Sequence, residues 1–182
     1  MTRQEITEFY QEHHRRLYNI SLRILRDSDE AEEVMQDTIL KFVSSPARFS
    51  SREQESAWLA RTCIRASIDR LRRRQRRDAF LEDYAHELGD SPVEPANDGM
   101  VEPANDGTSV IPGDDPESRP DIVRVRAAMD ALPEPYRLVL NLVLIEGLDY
   151  GEIAGLTGQK ETTLRSLYSR GRVKLQTLLH KI

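Results

Sequence analysis

Residues 89–121 decide how the rest of this chain can fold. They read GDSPVEPANDGMVEPANDGTSVIPGDDPESRPD, a run of Pro, Gly, Asp and Asn with no apolar period. Such a stretch cannot bury enough surface to fold by itself. The 182 residues are therefore expected to form two small units, 1–88 and 122–182, joined by a tether at 89–121. Within the tether VEPANDG occurs twice, at 93–99 and 101–107. Two short copies are too few for a solenoid, so this reads as a local duplication in a tolerant linker. Charge follows the same division. Residues 1–88 carry 16 basic and 16 acidic side chains, residues 89–121 carry 1 and 9, and residues 122–182 carry 9 and 6. The acidity behind the formal net charge of −5 thus resides almost wholly in the tether, and the charge of each segment says more about partners than the total does.

A hydrophobic content of 38% beside 31% charged residues suits small helical units with thin cores. No run approaches the ~18 apolar residues of a membrane span, and MTRQEITEFYQEHH lacks the apolar centre of an export signal. Cys63 is the only cysteine, which excludes an internal disulfide and a multi-cysteine zinc site. No membrane insertion and a cytoplasmic location are the expectations.

The periodicity is helical throughout, and the expected fold class is all-α. In the first unit Ile6, Phe9, Tyr10, Leu17, Ile20 and Ile24 form one stripe. Ser28 or Asp29 is the expected N-cap of a second helix that carries Ala31, Val34, Met35, Thr38, Ile39 and Phe42. A third starts near Glu53 with Trp58, Leu59, Cys63, Ala66, Ile68 and Leu71. His13 and His14, set among Glu12, Arg15 and Arg16, are expected on an exposed face. A carboxylate metal bundle would need Glu-x-x-His or a second carboxylate helix, and neither is present. No nucleophile–base pair, metal cluster or phosphate loop occurs, so no catalytic residue, cofactor or metal is expected. The second unit divides into 122–132, 133–145 and two shorter helices separated by Gly158.

LDYGEIAGLTGQKETTLRSLYSRGRVKL has the organisation of a helix-turn-helix. Ile153, Ala154 and Leu156 would pack its first helix, Gly158 permits the turn, and Leu164 and Leu167 seat the second helix on the first. The outward face is then Lys160, Glu161, Thr162, Thr163, Arg165, Ser166, Ser169 and Arg170. Side chains of this kind reach base edges in the major groove and anchor to phosphates. The longer stretch resembles the promoter −35 reading domain of extracytoplasmic-function (ECF) sigma factors, group IV of the sigma-70 family. The resemblance rests on Leu132–Pro133, Tyr136–Arg137, Glu146–Gly147, Tyr150, Glu152–Ile153–Ala154, Thr163–Leu164–Arg165 and Arg170. Gly171 departs from it, standing where the family usually has alanine, and predicts a loose helix end. On this half alone a LuxR-type response-regulator output domain is still a live rival.

The first unit favours the sigma factor. DSDEAEEVMQDTILKFV resembles the segment that docks on the clamp helices of the polymerase β′ subunit, which implies Asp29, Glu30, Glu33, Gln36 and Asp37 as polymerase contacts. ESAWLARTCIRASIDRLRRRQRR resembles the −10 element segment and holds eight arginines between 61 and 77 against Asp69 alone. Arg61, Arg65, Arg72 and Arg76 fall near one face at about 100° per residue, and guanidinium forks match phosphates. Arg65 replaces the family's usual Asn. The preceding loop, Ser44 to Glu55, corresponds to the family's flipped-base pocket and offers Phe49 for stacking with Ser50, Ser51 and Arg52 as polar partners. The implied −10 contacts are Phe49, Ser50, Arg52, Arg61, Arg65, Arg72, Arg73 and Arg76. The implied −35 contacts are Lys160, Thr162, Thr163, Arg165, Ser166, Ser169 and Arg170.

The resemblance covers about residues 5–80 and 125–178. It implies a transcription initiation factor with no catalysis of its own. Its implied partners are core RNA polymerase, through the β′ clamp helices and the β subunit, and promoter DNA, with an anti-sigma factor as a further candidate. The alternative is a stand-alone helix-turn-helix regulator.

Overall fold

A computed structural model describes residues 2–44, 49–87 and 120–180, with side chains from 2–44, 49–77 and 121–180. The tether expected at 89–121 falls almost entirely outside these residues. The described chain is all-α: α1 (Arg3–Leu25), α2 (Ser28–Val43), α3 (Arg52–Glu87), α4 (Pro120–Asp130), α5 (Glu134–Leu140), α6 (Tyr150–Thr157) and α7 (Glu161–Leu179).

α1 starts in a capping box. The Thr2 hydroxyl accepts from the Glu5 N–H at 3.3 Å, and the Glu5 carboxylate accepts from the Thr2 N–H at 2.7 Å. It stops at Arg26, whose left-handed φ of 57° turns the chain directly into α2. The N-cap of α2 is Asp27 rather than Ser28 or Asp29: its carboxylate accepts from the Glu30 N–H at 2.8 Å. Asp27 holds the extended backbone that a cap requires (φ −135°, ψ 122°), whereas Ser28 is already helical.

Leu17, Ile20 and Leu25 of α1 meet Leu59, Ile64 and Ile68 of α3, all fully buried, and Val34, Met35 and Ile39 of α2 close the third side. α1 and α3 approach closely along Ser21, Cys63 and Ser67. The Ser21 hydroxyl lies 3.0 Å from the Cys63 sulfur, and Ser67 donates to the Cys63 carbonyl at 2.9 Å. Burial pushes the Cys63 thiol up from its usual pKa, partly offset by hydrogen bonds from Ser21 and Thr38. His13 is buried, contrary to expectation. It lies four residues from both Phe9 and Leu17 and so occupies the core stripe, its ring 4.6 Å from Phe9 and its Nε2 3.5 Å from Glu55. Tyr10, expected in that stripe, is exposed.

In the second unit Arg137 is buried and donates to the Leu132 carbonyl at 3.1 Å, closing the α4–α5 corner. Desolvation lowers its pKa. α5 runs into a π-helical turn, Asn141–Ile145, and Gly147 (φ 69°) then reverses the chain. α6 opens with a second capping box, Asp149 with Glu152. It ends at Gly158, whose φ of 63° only glycine adopts without strain. α7 is not a short piece and does not loosen at Gly171. It continues for 19 residues because Gly171 is buried where α7 crosses α5. A Cβ there would stand 3.2 Å from the Tyr136 Cβ and the Leu140 Cδ1.

Candidate nucleic-acid interface

Ile153 and Leu164 are fully buried, and Ala154, Leu156 and Leu167 pack against them. That seating turns the opposite side of α7 to solvent. Lys160, Thr162, Thr163, Arg165, Ser166, Ser169 and Arg170 are all exposed. Arg165 has defined supports: its guanidinium lies 5.2 Å from the Tyr150 ring centroid and 3.4 Å from the Glu161 carboxylate. Tyr150 is in turn held edge-on by Tyr168 at 6.0 Å. A guanidinium stacked on an aromatic ring gives up less freedom when it meets a base or phosphate.

The other expected surface divides in two. On one side of α3, a cleft of about 810 Å³ gathers Phe49, Arg61 and Arg65, a size that accommodates a nucleotide. Phe49 stacks on Phe42 at 5.8 Å and tilts against Trp58 at 5.8 Å. The cleft therefore has an aromatic wall with a cationic rim. Ser50 and Arg52 are exposed beside it, and residues 45–48 of the expected loop lie outside the described residues. Lys41, Trp58 and Asp69 also line the cleft and were not among the expected contacts. Lys41 could be found from its place at the end of α2, where it leads straight into the loop. Asp37, expected on the polymerase face, lines the cleft as well. Arg73 and Arg76 are exposed further along α3, and Arg72 is half-buried.

On the other side of α3, Arg70 and Arg74 turn inward against α2. Arg70 pairs with Glu33 and lies 3.7 Å from Glu30; Arg74 lies 3.6 Å from Glu30 and bonds the Leu25 carbonyl. Glu30 is thus a half-buried bridge between helices and not a free carboxylate. Asp29, Glu32, Glu33, Gln36 and Asp37 remain exposed, with Leu40 (62% exposed) at the end of the same face. An acidic face with one apolar end suits a basic partner surface. Among the described residues no cluster of His, Cys, Asp or Glu is arranged to hold a metal ion.

The second unit rests on the first. Arg23 pairs with Glu146 at 2.9 Å, Arg26 donates to the Asp130 carbonyl at 3.0 Å, and Asn141 of the π-turn donates to the Arg23 carbonyl at 3.4 Å. On α3, Arg61 pairs with Glu152, Arg72 donates to the Thr157 carbonyl and Gln75 to Glu134. Leu156 of α6 reaches the wall of the α3 cleft.

Comparison with known proteins matches both units. The model of Sigma-70 region 2 matches residues 9–77, and that of Sigma-70, region 4, matches residues 122–175. The ECF RNA polymerase sigma factor SigE of Mycolicibacterium smegmatis is 31% identical over 96% of this chain, which spans 61% of that relative's length. SigM of Mycobacterium tuberculosis is 27% identical over 94% of this chain and 76% of its own. Among solved structures, the Bartonella quintana sigma factor RpoE, crystallised with the anti-sigma factor NepR, shares the fold with a TM-score of 0.51. That match has 20% identity and covers 97% of this chain and 98% of that one. With the two regions present in that order on an all-α chain, the protein belongs to the sigma-70 family, in its ECF branch.

Proposed function

We propose that this chain is a transcription initiation factor that binds core RNA polymerase and directs it to promoters by recognising −10 and −35 elements. The observation that carries this reading is the pairing, in one chain with both sigma regions, of an exposed polar and basic face on α7 with an aromatic, arginine-rimmed cleft on α3. The two sites suit different forms of DNA. α7 presents Lys160, Thr162, Thr163, Arg165, Ser166, Ser169 and Arg170 as a convex face for the major groove of duplex −35 DNA. The cleft takes a base only after it has left the stack, with Phe49 as the stacking surface and Ser50, Arg52, Arg61 and Arg65 around its edge and phosphate. Arg72, Arg73 and Arg76 continue the phosphate path along α3. Holding an unstacked base and its phosphates stabilises melted −10 DNA without any bond being made or broken, so the factor needs no catalytic group.

Polymerase binding falls to Asp29, Glu33, Gln36 and Asp37 on α2, with Glu30 fixing the helix from beneath, against the β′ clamp helices; region 4 meets the β subunit. The working units are residues 1–88 and 122–182. The tether at 89–121, with its excess of acid, follows the polymerase's basic path for product RNA. Such a factor acts in the cytoplasm, where an anti-sigma factor is a further partner. The test is co-elution with sigma-free core polymerase on size exclusion, repeated with Asp29→Lys/Glu33→Lys. Co-elution that the double variant abolishes is the expected result. A chain that binds promoter DNA but never co-elutes with polymerase is a stand-alone regulator instead.

A further inference from the structure

Glu161 is the only acidic residue of α7, and it stands on an outward face that is otherwise polar and basic. It is also the first residue of the helix. In a helix-turn-helix the N-terminal side chains of the second helix are those that reach base edges. The carboxylate has a defined place. It lies 3.4 Å from the Arg165 guanidinium one turn on, and Arg165 is itself seated 5.2 Å from the Tyr150 ring centroid. On the α6 side Gly151 leaves it room, since a Cβ there would stand 3.6 Å from the Glu161 Oε1. Both charged groups remain open to solvent, with side-chain exposures of 50% for Glu161 and 64% for Arg165. As an exposed ion pair they add little to the fold. α7 thus presents one acceptor beside a fork of donors, held together at the end that enters the groove.

We propose that Glu161 and Arg165 act as one unit that selects a G·C pair in the upstream element, with Glu161 reading the cytosine. The proposal deepens the assignment of α7 to −35 DNA and rests on it. A carboxylate set against the DNA backbone is repelled by phosphate, so Glu161 is favourably placed only over a base edge that offers a donor. In the major groove a G·C pair shows two adjacent acceptors, guanine N7 and O6, and then one donor, the cytosine N4 amino group. The Arg165 fork donates to the two acceptors, and Glu161 accepts from the donor. An A·T pair shows acceptor, donor, acceptor instead. The adenine N6 amino group then meets one arm of the guanidinium, and thymine O4 meets the carboxylate. Both meetings are repulsive, so the unit rejects A·T as well as accepting G·C. The fixed order of Glu161 and Arg165 along α7 also distinguishes C·G from G·C. Tyr150 is the positioning residue that holds Arg165 in this register.

The experiment is in vitro transcription by sigma-free core polymerase and the full chain, from barcoded templates built on one promoter that the parent uses. The upstream element is randomised, and sequencing the transcripts gives the yield of every template. The proteins compared are the parent, Glu161→Ala, Glu161→Gln and Arg165→Ala. The parent should favour G·C over A·T by about tenfold at one pair. Glu161→Ala should reduce that preference to about twofold or less while the other pairs keep their ranking. Arg165→Ala should level the same pair. Glu161→Gln loses the same charge but gains an amide donor that can meet thymine O4, so it should readmit A·T there. A rise in yield shared evenly by all templates is the bulk effect of removing one negative charge, and it overturns the proposal. An even fall also overturns it, since it marks Glu161 as a support of the fold alone. Different pairs levelled by Glu161→Ala and Arg165→Ala overturn the unit. All three results leave −35 reading by α7 standing. Absence of any promoter-dependent transcript with the parent removes that reading and the proposal together.

Discussion

α3 and α7 both present arginine-rich faces, yet they hold their guanidinium groups in different states. On α7 the candidate DNA contacts are all exposed, and Arg165 rests on Tyr150 and pairs only with Glu161 of its own helix. On α3 seven of the eight arginines of residues 61–77 divide among three uses. Arg70 and Arg74 fasten α3 to α2, Arg61 and Arg72 are held by the second domain, and Arg65, Arg73 and Arg76 are exposed. Counting arginines therefore overstates the surface available to DNA on α3 and states it fairly on α7. Composition sets how much charge a helix carries, and only its neighbours set how much can be shared.

The contrast depends first on a rigid first domain. Leu17, 1% exposed between α1 and α3, is the place to break it: Leu17→Ala should cost about 2–5 kcal/mol of unfolding free energy. That loss is measurable by urea denaturation and would release the arginine alignment on α3. Arg165→Ala comes next. It should weaken binding to −35 duplex by about 1–3 kcal/mol while unfolding stays within about 0.5 kcal/mol of the parent. A comparable loss of stability would mean that Arg165 serves structure as Arg70 does.

A sharper test sets Arg70→Ala against Arg73→Ala, three residues apart on one helix. Arg70→Ala should destabilise by about 1 kcal/mol, because Glu30 and Glu33 lose a half-buried partner. Arg73→Ala, exposed, should leave stability unchanged and reduce the salt dependence of DNA binding by about one ion. If the two behave alike, the division of α3 into structural and DNA-facing sides is wrong.

The smallest effect concerns the α1–α3 seam. The folded pKa of Cys63 is raised, so the folded state keeps a proton that the unfolded thiol releases. The stabilisation is complete below the ordinary thiol pKa of about 8.5 and is lost as pH rises through the folded value. Stability between pH 8 and 10 should fall slightly faster in the parent than in Cys63→Ala, which lacks that proton.

Much of this could be read from the chain before any coordinates. Apolar spacing located the helices, Gly158 and the buried Ile153 and Leu164 gave the helix-turn-helix, and the outward face of α7 followed from that seating alone. Local periodicity suffices there because the two helices that fix the face adjoin in sequence. α3 was harder for the opposite reason. Arg70 meets Glu33 across 37 residues, and Arg61 meets Glu152 across 91. No period within α3 distinguishes these arginines from Arg65 or Arg73. His13 was misplaced because its charged neighbours, Glu12, Arg15 and Arg16, outweighed its spacing of four from Phe9 and Leu17. Gly171 looked like a weak point because helix propensity was visible and the approach of Tyr136 and Leu140 was not.

The most direct measurement is in vitro transcription of fragmented host genomic DNA by sigma-free core polymerase, with and without the full chain, mapping the RNA 5′ ends. A factor that reads two elements at once will add a set of 5′ ends preceded by two shared sequences at one fixed spacing. The upstream sequence should lose its influence in Arg165→Ala and the downstream one in Arg65→Ala. A set of 5′ ends unchanged by adding the chain contradicts its role as an initiation factor.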